Sequence, residues 1–212
     1  MQATLNPALL RLCSKARVIP VLTITDIAHA VPLARALVAG GLPFLEITLR
    51  TPQALDAIRR ITADVEDAET GAGTVLTAQH GDQAIAAGAR FLVSPGSTTV
   101  LLDAAETWPV PLLPGVATAS EAMTALQRGY RLLKFFPAEP AGGVPALKAL
   151  AGPLAEAQFC PTGGIGAHNF AAYLACPNVV CVGGSWVAPQ ALIEAGQWSE
   201  ITRLARTAST PC

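Results

Sequence analysis

Residues 18–49 read VIPVLTITDIAHAVPLARALVAGGLPFLEITL, one complete strand–helix–strand unit. The runs at 18–24 (VIPVLTI) and 43–49 (PFLEITL) are short, apolar and rich in β-branched residues, as a pleated strand favours. Between them, 26–39 is rich in Ala and Leu, opens at Asp26 and stops at Gly40, the start and stop signals of a helix. The rhythm repeats along the chain. Strand-like segments recur at 70–75 (TGAGTV), 90–95 (RFLVSP), 110–114 (VPLLP), 131–136 (RLLKFF), 158–163 (QFCPTG) and 179–184 (VVCVGG), with starts roughly 20 to 27 residues apart. Helical stretches fall between them, at 52–62, 78–87, 119–128 and 167–175 among others. Strands alternating with helices imply right-handed βαβ units and a parallel sheet. Eight such units predict an α/β fold, a single-domain (β/α)8 TIM barrel over 1–212, with strands spanning 18–184 and a C-terminal helix and tail at 189–212. Residues 7–16 predict an extra N-terminal helix, with Asn6 as its cap and Pro7 at its first position. An open doubly wound sheet is the rival topology. Its nucleotide-binding version is disfavoured, because neither GxGxxG nor GxxxxGK[ST] follows the first strand.

Composition narrows the classes of function. The chain is 51% hydrophobic and 14% charged, enough apolar material for a sizeable core. The formal net charge of −1 carries no electrostatic footprint for nucleic acid or an acidic membrane surface, so neither is an expected partner. Apolar runs are broken by Gly, Pro or charge, so no transmembrane span is expected, and the start of the chain has no signal-peptide pattern. The five cysteines (Cys13, Cys160, Cys176, Cys181, Cys212) are odd in number and form no CxxC pair, which fits reduced thiols in a cytoplasmic protein. His29, His80 and His168 share no HxH or HExxH spacing, so neither a metal site nor a cofactor is expected.

In a barrel of this kind the active site lies at the C-terminal ends of the strands, so charges embedded in strands are informative. Of fifteen acids, Glu46 is the one inside an apolar strand; Glu69 sits at a strand's start, the opposite end. Of the three lysines, Lys15 and Lys148 fall in helical segments and Lys134 is mid-strand. Side chains alternate along a strand, so Glu46, Thr48 and Arg50 share one face, and Leu132, Lys134 and Phe136 share another. If the apolar faces pack on helices, Glu46 and Lys134 both point into the barrel. The pair is then either a buried structural ion pair or a catalytic one. Burial among Leu133, Phe135 and Phe136 penalises an ammonium relative to the free amine, the form that attacks a ketone. The turns PTGGIG at 161–166 and VGGSW at 182–186 follow the last two strands, the usual phosphate position in barrels. Their glycines let backbone N–H groups approach an oxyanion and Ser185 can add a donor; the alternative is that the glycines only make tight turns. Arg50 suits a substrate carboxylate, with Thr74 assisting; the alternatives are a surface ion pair and a simple turn residue.

Taken together, EITLRTP at 46–52, GAGTVL at 71–76, SPG at 94–96, LLPGVATASEAM at 112–123, LLKFFPAE at 132–139, CPTGGI at 160–165 and VGGSW at 182–186 resemble the KDPG/KHG aldolase family, whose substrates are 2-keto-3-deoxy-6-phosphogluconate and 4-hydroxy-2-oxoglutarate. The resemblance runs from residue 18 to about 190 in the family's order. It implies a cytoplasmic class I (Schiff-base) aldolase, a homotrimer, that uses no metal and releases pyruvate from a phosphorylated 2-keto acid in the Entner–Doudoroff pathway. By motif, Lys134 matches the family's Schiff-base lysine and Glu46 its acid/base. Arg50 and Thr74 match its pyruvate-carboxylate contacts, and Pro95 and Phe136 its pocket wall. Thr162, Gly163, Gly164, Gly184 and Ser185 match the residues lining its phosphate end. Two departures stand out: Ser97-Thr98-Thr99 follows SPG where a more apolar residue is expected, and Glu69 occupies a usually apolar strand position. A galactonate-type aldolase of the same family, a non-covalent phosphosugar isomerase or epimerase, and a non-catalytic phosphosugar-binding barrel are the competing readings.

Overall fold

The computed structural model describes Leu9, Cys13 and residues 16–210. The helix expected over 7–16, with Asn6 and Pro7 at its start, therefore lies mostly outside the described residues, as do Lys15 and Cys212. Leu9 and Cys13 are described, and both are helical and buried.

The strands are β1 (Val18–Leu22), β2 (Phe44–Thr48), β3 (Glu69–Gly73), β4 (Leu92–Val93), β5 (Leu112–Leu113), β6 (Gly115–Val116), β7 (Leu132–Phe135), β8 (Gln158–Pro161) and β9 (Val182–Gly184). They form one curled arrangement of parallel pairs: six in the order β5-β4-β3-β2-β1-β9, three in the order β6-β7-β8. The strand expected at 110–114 is thus divided, and the reason is Pro114, which has no N–H to donate. Its carbonyl still accepts from the Lys134 N–H at 2.8 Å. Leu112–Leu113 therefore bonds to β4 on one side and Gly115–Val116 to β7 on the other. Single parallel bridges, Phe159 with Val179 and Thr162 with Gly183, connect β8 to the segment carrying β9. The strand expected at 90–95 is reduced to Leu92–Val93, because the chain turns at Pro95–Gly96.

Helices follow the strands. Asp26 caps a short 3-10 turn (Ile27–His29) by accepting from the Ala28 N–H at 2.9 Å, and this turn leads into the helix Ala30–Ala39. That helix ends at Gly40, where a Cβ would fall 2.4 Å from Ala205 Cβ; the missing side chain is what lets Trp198–Ser209 lie against it. The single C-terminal helix expected from residue 189 is instead two, Gln190–Glu194 and Trp198–Ser209. Gly196 adopts φ +62°, its N–H bonds the Ile193 carbonyl, and the Gln197 N–H bonds the Leu192 carbonyl, the Schellman pattern that stops a helix. Among the described residues no helix is long and apolar enough to cross a membrane.

Strand alternation sorts the apolar residues into two shells. Leu45, Ile47 and Leu133 face outward and pack with helix residues such as Leu33, Leu37 and Ile58. Phe44, Phe91, Leu113, Leu132, Cys160 and Cys181 face inward, with Leu9 and Cys13 in the same cluster. Along β2 and β7 the inward positions read Phe44 then Glu46, and Leu132 then Lys134. The apolar layer thus gives way to charge toward the C-terminal ends of the strands.

The helix Ala119–Gln127 opens with a capping box in which Thr118 accepts from the Glu121 N–H at 3.3 Å and Glu121 accepts from Thr118 and Ala117 N–H groups at 2.9 and 2.8 Å. The Ala117 N–H is the chief reason the Glu121 carboxyl sits below its usual range. A depressed acid stabilises the fold above its unfolded pKa, and this contribution is lost as pH falls through the folded value. Thr118→Ala should lower stability at neutral pH by about 1 kcal/mol, a fall in melting midpoint of roughly 2–4 °C, read by thermal unfolding. Glu121→Gln should also destabilise at neutral pH and become silent in acid.

Candidate active site

Glu46 and Lys134 reach the same point from strands far apart in the sequence. The Lys134 Nζ donates to Glu46 Oε1 at 3.0 Å and Oε2 at 3.3 Å, and both side chains are buried, 5% and 3% exposed. The same ammonium lies 5.5 Å from the centroid of the Phe136 ring, whose negative face attracts it. Two glycines of β3 make room, Gly73 for the pair and Gly71 for the Phe91 ring. A Cβ on Gly73 would stand 2.1 Å from Glu46 Oε1, and one on Gly71 would strike the Phe91 ring at 2.4 Å. A buried ion pair is costly to desolvate, so its place beside an open cleft needs a reason other than stability.

The cleft has a volume of about 220 Å³ and is lined by Val21, Thr23, Arg50, Lys134, Phe136, Thr162, Gly163, Gly164, Ile165, Gly184 and Ser185. Eight residues singled out in the sequence are therefore together. Glu46 and Thr74 are not in the lining but touch residues that are. Thr74 Oγ1 accepts from the Arg50 Nε at 3.0 Å. Thr74 also holds φ +60°, a left-handed backbone that a β-branched residue adopts at a cost of order 1–3 kcal/mol. Pro95 does not line the cleft; its carbonyl abuts Gly115, where a Cβ would come within 2.4 Å. The Ser97 hydroxyl, part of the departure after SPG, donates to the Gly115 carbonyl at 3.0 Å. Glu69, the other departure, pairs with Arg90 at 3.0 Å at the start of β3, away from the cleft.

In the same lining the Gly163 and Gly164 backbones adopt φ +99° and +79°. Gly184 underlies the Trp186 ring, which a Cβ would meet at 2.0 Å. Among the described residues no cluster of three or more His, Cys, Asp or Glu is placed to hold a metal ion. Cys13, Cys160, Cys176 and Cys181 are free and buried.

The family model described as KDPG and KHG aldolase matches residues 10–204. The chain belongs to that family. It is 52% identical over 195 residues to a 2-dehydro-3-deoxy-phosphogluconate aldolase of Pseudoalteromonas atlantica, covering 92% of this chain and 91% of the relative. To the KHG/KDPG aldolase of Escherichia coli K12 it is 51% identical over 191 residues, 90% of each chain. A crystal structure of KDPG aldolase from Legionella pneumophila, with pyruvate captured at low pH as a covalent carbinolamine, superposes with TM-score 0.93 at 47% identity, covering 95% of this chain and 98% of that one.

Within this aldolase, three cleft residues were missed in the sequence: Val21, Thr23 and Ile165. The signal for the first two was present, since VIPVLTI has the same alternation that turned Glu46 inward. Thr23 illustrates what only the structure supplies. Thr48 spends its one hydroxyl hydrogen on the Leu22 carbonyl at 2.9 Å, so in the 3.0 Å contact between Thr23 and Thr48 the donor is Thr23. Thr23 thus keeps acceptor capacity for the cleft.

Gly73→Ala tests the fit around the pair. The new methyl has to push the Glu46 carboxylate off Lys134, and misplacing a catalytic group by an ångström costs about 10²-fold. Circular dichroism should show a folded protein, and aldolase activity should fall by about that factor; activity within twofold of the parent would contradict this reading of the Glu46–Lys134 geometry.

Proposed function

We propose that this aldolase cleaves 2-dehydro-3-deoxy-6-phosphogluconate to pyruvate and glyceraldehyde 3-phosphate through a Schiff base on Lys134. The observation that carries the reading is the contact between the buried Lys134 amine and the Glu46 carboxylate at the wall of a cleft also lined by Gly163, Gly164 and Gly184. Lys134, after transferring a proton to Glu46, attacks the C2 ketone; Glu46 returns that proton to the carbinolamine hydroxyl, which leaves as water, so that Glu46 is again a carboxylate and the iminium serves as the electron sink. Glu46 takes the proton of the C4 hydroxyl, the C3–C4 bond breaks, and its electrons pass into the iminium to form an enamine. The aldehyde leaves, Glu46 returns a proton to C3, and water hydrolyses the resulting iminium to pyruvate and free Lys134. Arg50, supported by Thr74, pairs with the substrate carboxylate, while Phe136 and Thr162 form the wall and Pro95 stands behind it, against Gly115. Backbone donors at Gly163, Gly164 and Gly184 with the Ser185 hydroxyl hold the phosphate, remote from the bond that breaks, where binding energy raises kcat/KM.

A second substrate is favoured by this separation. Because the reacting groups are complete without the phosphate end, 4-hydroxy-2-oxoglutarate, which yields pyruvate and glyoxylate, should also turn over.

We read the two groups of strands as one closed eight-stranded barrel, with 112–116 counted as a single strand shared by β4 and β7 and the β8–β9 bridges completing the ring. The N-terminal helix over 7–16 would then stop the bottom of that barrel, a reading supported by Leu9 and Cys13 in the inward cluster. Leu76, Val100 and Met123 are exposed large apolar side chains, at 54%, 75% and 50%, and suit burial in a homotrimer. Free buried cysteines support a cytoplasmic setting, and the substrate places the enzyme in the Entner–Doudoroff pathway.

Pyruvate with borohydride should leave one reduced adduct, at Lys134, mapped by peptide mass spectrometry, and excess chelator should leave activity unchanged. Labelling at Lys15 or Lys148, or inactivation by chelator, would overturn the Schiff-base assignment. For Glu46→Gln the decisive measurement is a pair. Cleavage and solvent-deuterium exchange into the pyruvate methyl group should both fall, by about 10²–10⁴-fold, in a protein that still folds and binds pyruvate. Near-normal exchange would remove Glu46 from the enamine step.

A further inference from the structure

Behind the Gly163–Gly164 loop stands a polar network outside the cleft lining that the proposed chemistry does not use. Glu139 follows β7 by four residues, and its N–H donates to the Gly163 carbonyl at 3.1 Å. A Cβ on Gly164 would fall 2.6 Å from Glu139 Cγ and 2.7 Å from its Cβ, so the methylene stem of Glu139 lies against that glycine. The carboxylate reaches elsewhere. Its Oε1 accepts from the hydroxyl of Tyr173, a fully buried side chain on the helix Phe170–Leu174. Asn169, just before that helix, donates from Nδ2 to the Gly164 carbonyl at 3.1 Å and accepts from the Gly166 N–H at 2.8 Å. One short helix therefore fixes both the loop and the carboxylate next to it.

The oddity is electrostatic. A carboxylate stands beside a loop that, on the reading above, receives a phosphate of about −1.5 to −2 charges. Like charges at such range repel by an amount that weakens binding severalfold or more, unless the carboxylate is held aside and its charge is hydrogen-bonded.

We propose that Tyr173 is a positioning residue for substrate binding: it holds the Glu139 carboxylate turned from the Gly163–Gly164 loop, so that Glu139 supplies shape to the phosphate end without opposing the anion. This rests on that end being the phosphate site. Burial, and next the bond to Glu139, push the Tyr173 hydroxyl's pKa well up, so it remains a donor throughout the neutral range.

The test is a two-residue cycle read with two substrates. Tyr173→Phe keeps the buried ring and removes only the donor. It should raise KM for the phosphorylated keto acid, and the inhibition constant of inorganic phosphate, by about tenfold. Its kcat should hold, as should its KM for the dephosphorylated keto acid. Glu139→Gln should bind the phosphorylated substrate at least as well as the parent. The double variant Tyr173→Phe/Glu139→Gln should return to within about twofold of Glu139→Gln alone, because no charge remains to be misplaced. Thermal melts show that each variant is folded. A structural tyrosine would give a different pattern: equal shifts for both substrates, or a double variant that keeps the full Tyr173→Phe defect. Either result overturns the proposal while leaving the phosphate site standing, provided inorganic phosphate still competes in the parent. If inorganic phosphate does not compete and Ser185→Ala leaves KM for the phosphorylated substrate unchanged, the phosphate assignment fails, and the role of Tyr173 falls with it.

Discussion

The Lys134–Glu46 contact is the constraint around which the rest of the site is arranged. Two opposite charges are 5% and 3% exposed, at 3.0 Å, in a structure that could have placed apolar side chains there. Burying such a pair is at best weakly stabilising, and leaving either partner alone is strongly unfavourable. The surroundings show the accommodation. Gly73 gives up a side chain to admit the Glu46 carboxylate, Phe136 offers its ring to the ammonium, and Pro114 interrupts a strand while its carbonyl still fixes the Lys134 backbone. An apolar layer of Phe44, Phe91 and Leu132 lies on the N-terminal side of the pair. The pair meets the cleft through Lys134, which lines it.

Around that fixed point the cleft lining combines two kinds of group with different physics. The Arg50 end uses a side-chain cation whose direction is set by Thr74, at the cost of a left-handed threonine backbone. On the proposed reading the glycine-rich part offers backbone N–H groups and the Ser185 hydroxyl, which favour an anion without bringing a cation. That choice makes nearby charges matter more, and the direction of Glu139 is the clearest instance. Both parts are carried by elements packed into the outer shell, so the Lys134–Glu46 pair and the glycine-rich turns share one frame.

Much of this was legible in the chain because two periodicities leave separate marks. The period of two in FLEIT and LLKF turned Glu46 and Lys134 inward, and both are inward. The Gly-rich turns at 161–166 and 182–186 meet in one cleft, as their position after the last strands implied. Element edges were less legible. Pro114 splits a strand, Gly196 splits a helix, and the strand at 90–95 keeps two residues, because edges depend on which N–H finds which carbonyl across the sheet.

What the sequence determined by itself was the order of elements, the face of each strand and the two strand-borne charges that meet, since these follow from local alternation and from how rarely a charge sits inside an apolar strand. Only the tertiary structure decided that Pro95 abuts Gly115 instead of lining the cleft, that Thr23 faces it with its hydrogen already given to Thr48, and that Tyr173 holds Glu139. The physical reason is common to all three. Each depends on a contact between residues from different strands or helices, and hydrogen-bond direction, close backbone approach and the orientation of a carboxylate are properties of the pair, which neither sequence neighbourhood contains.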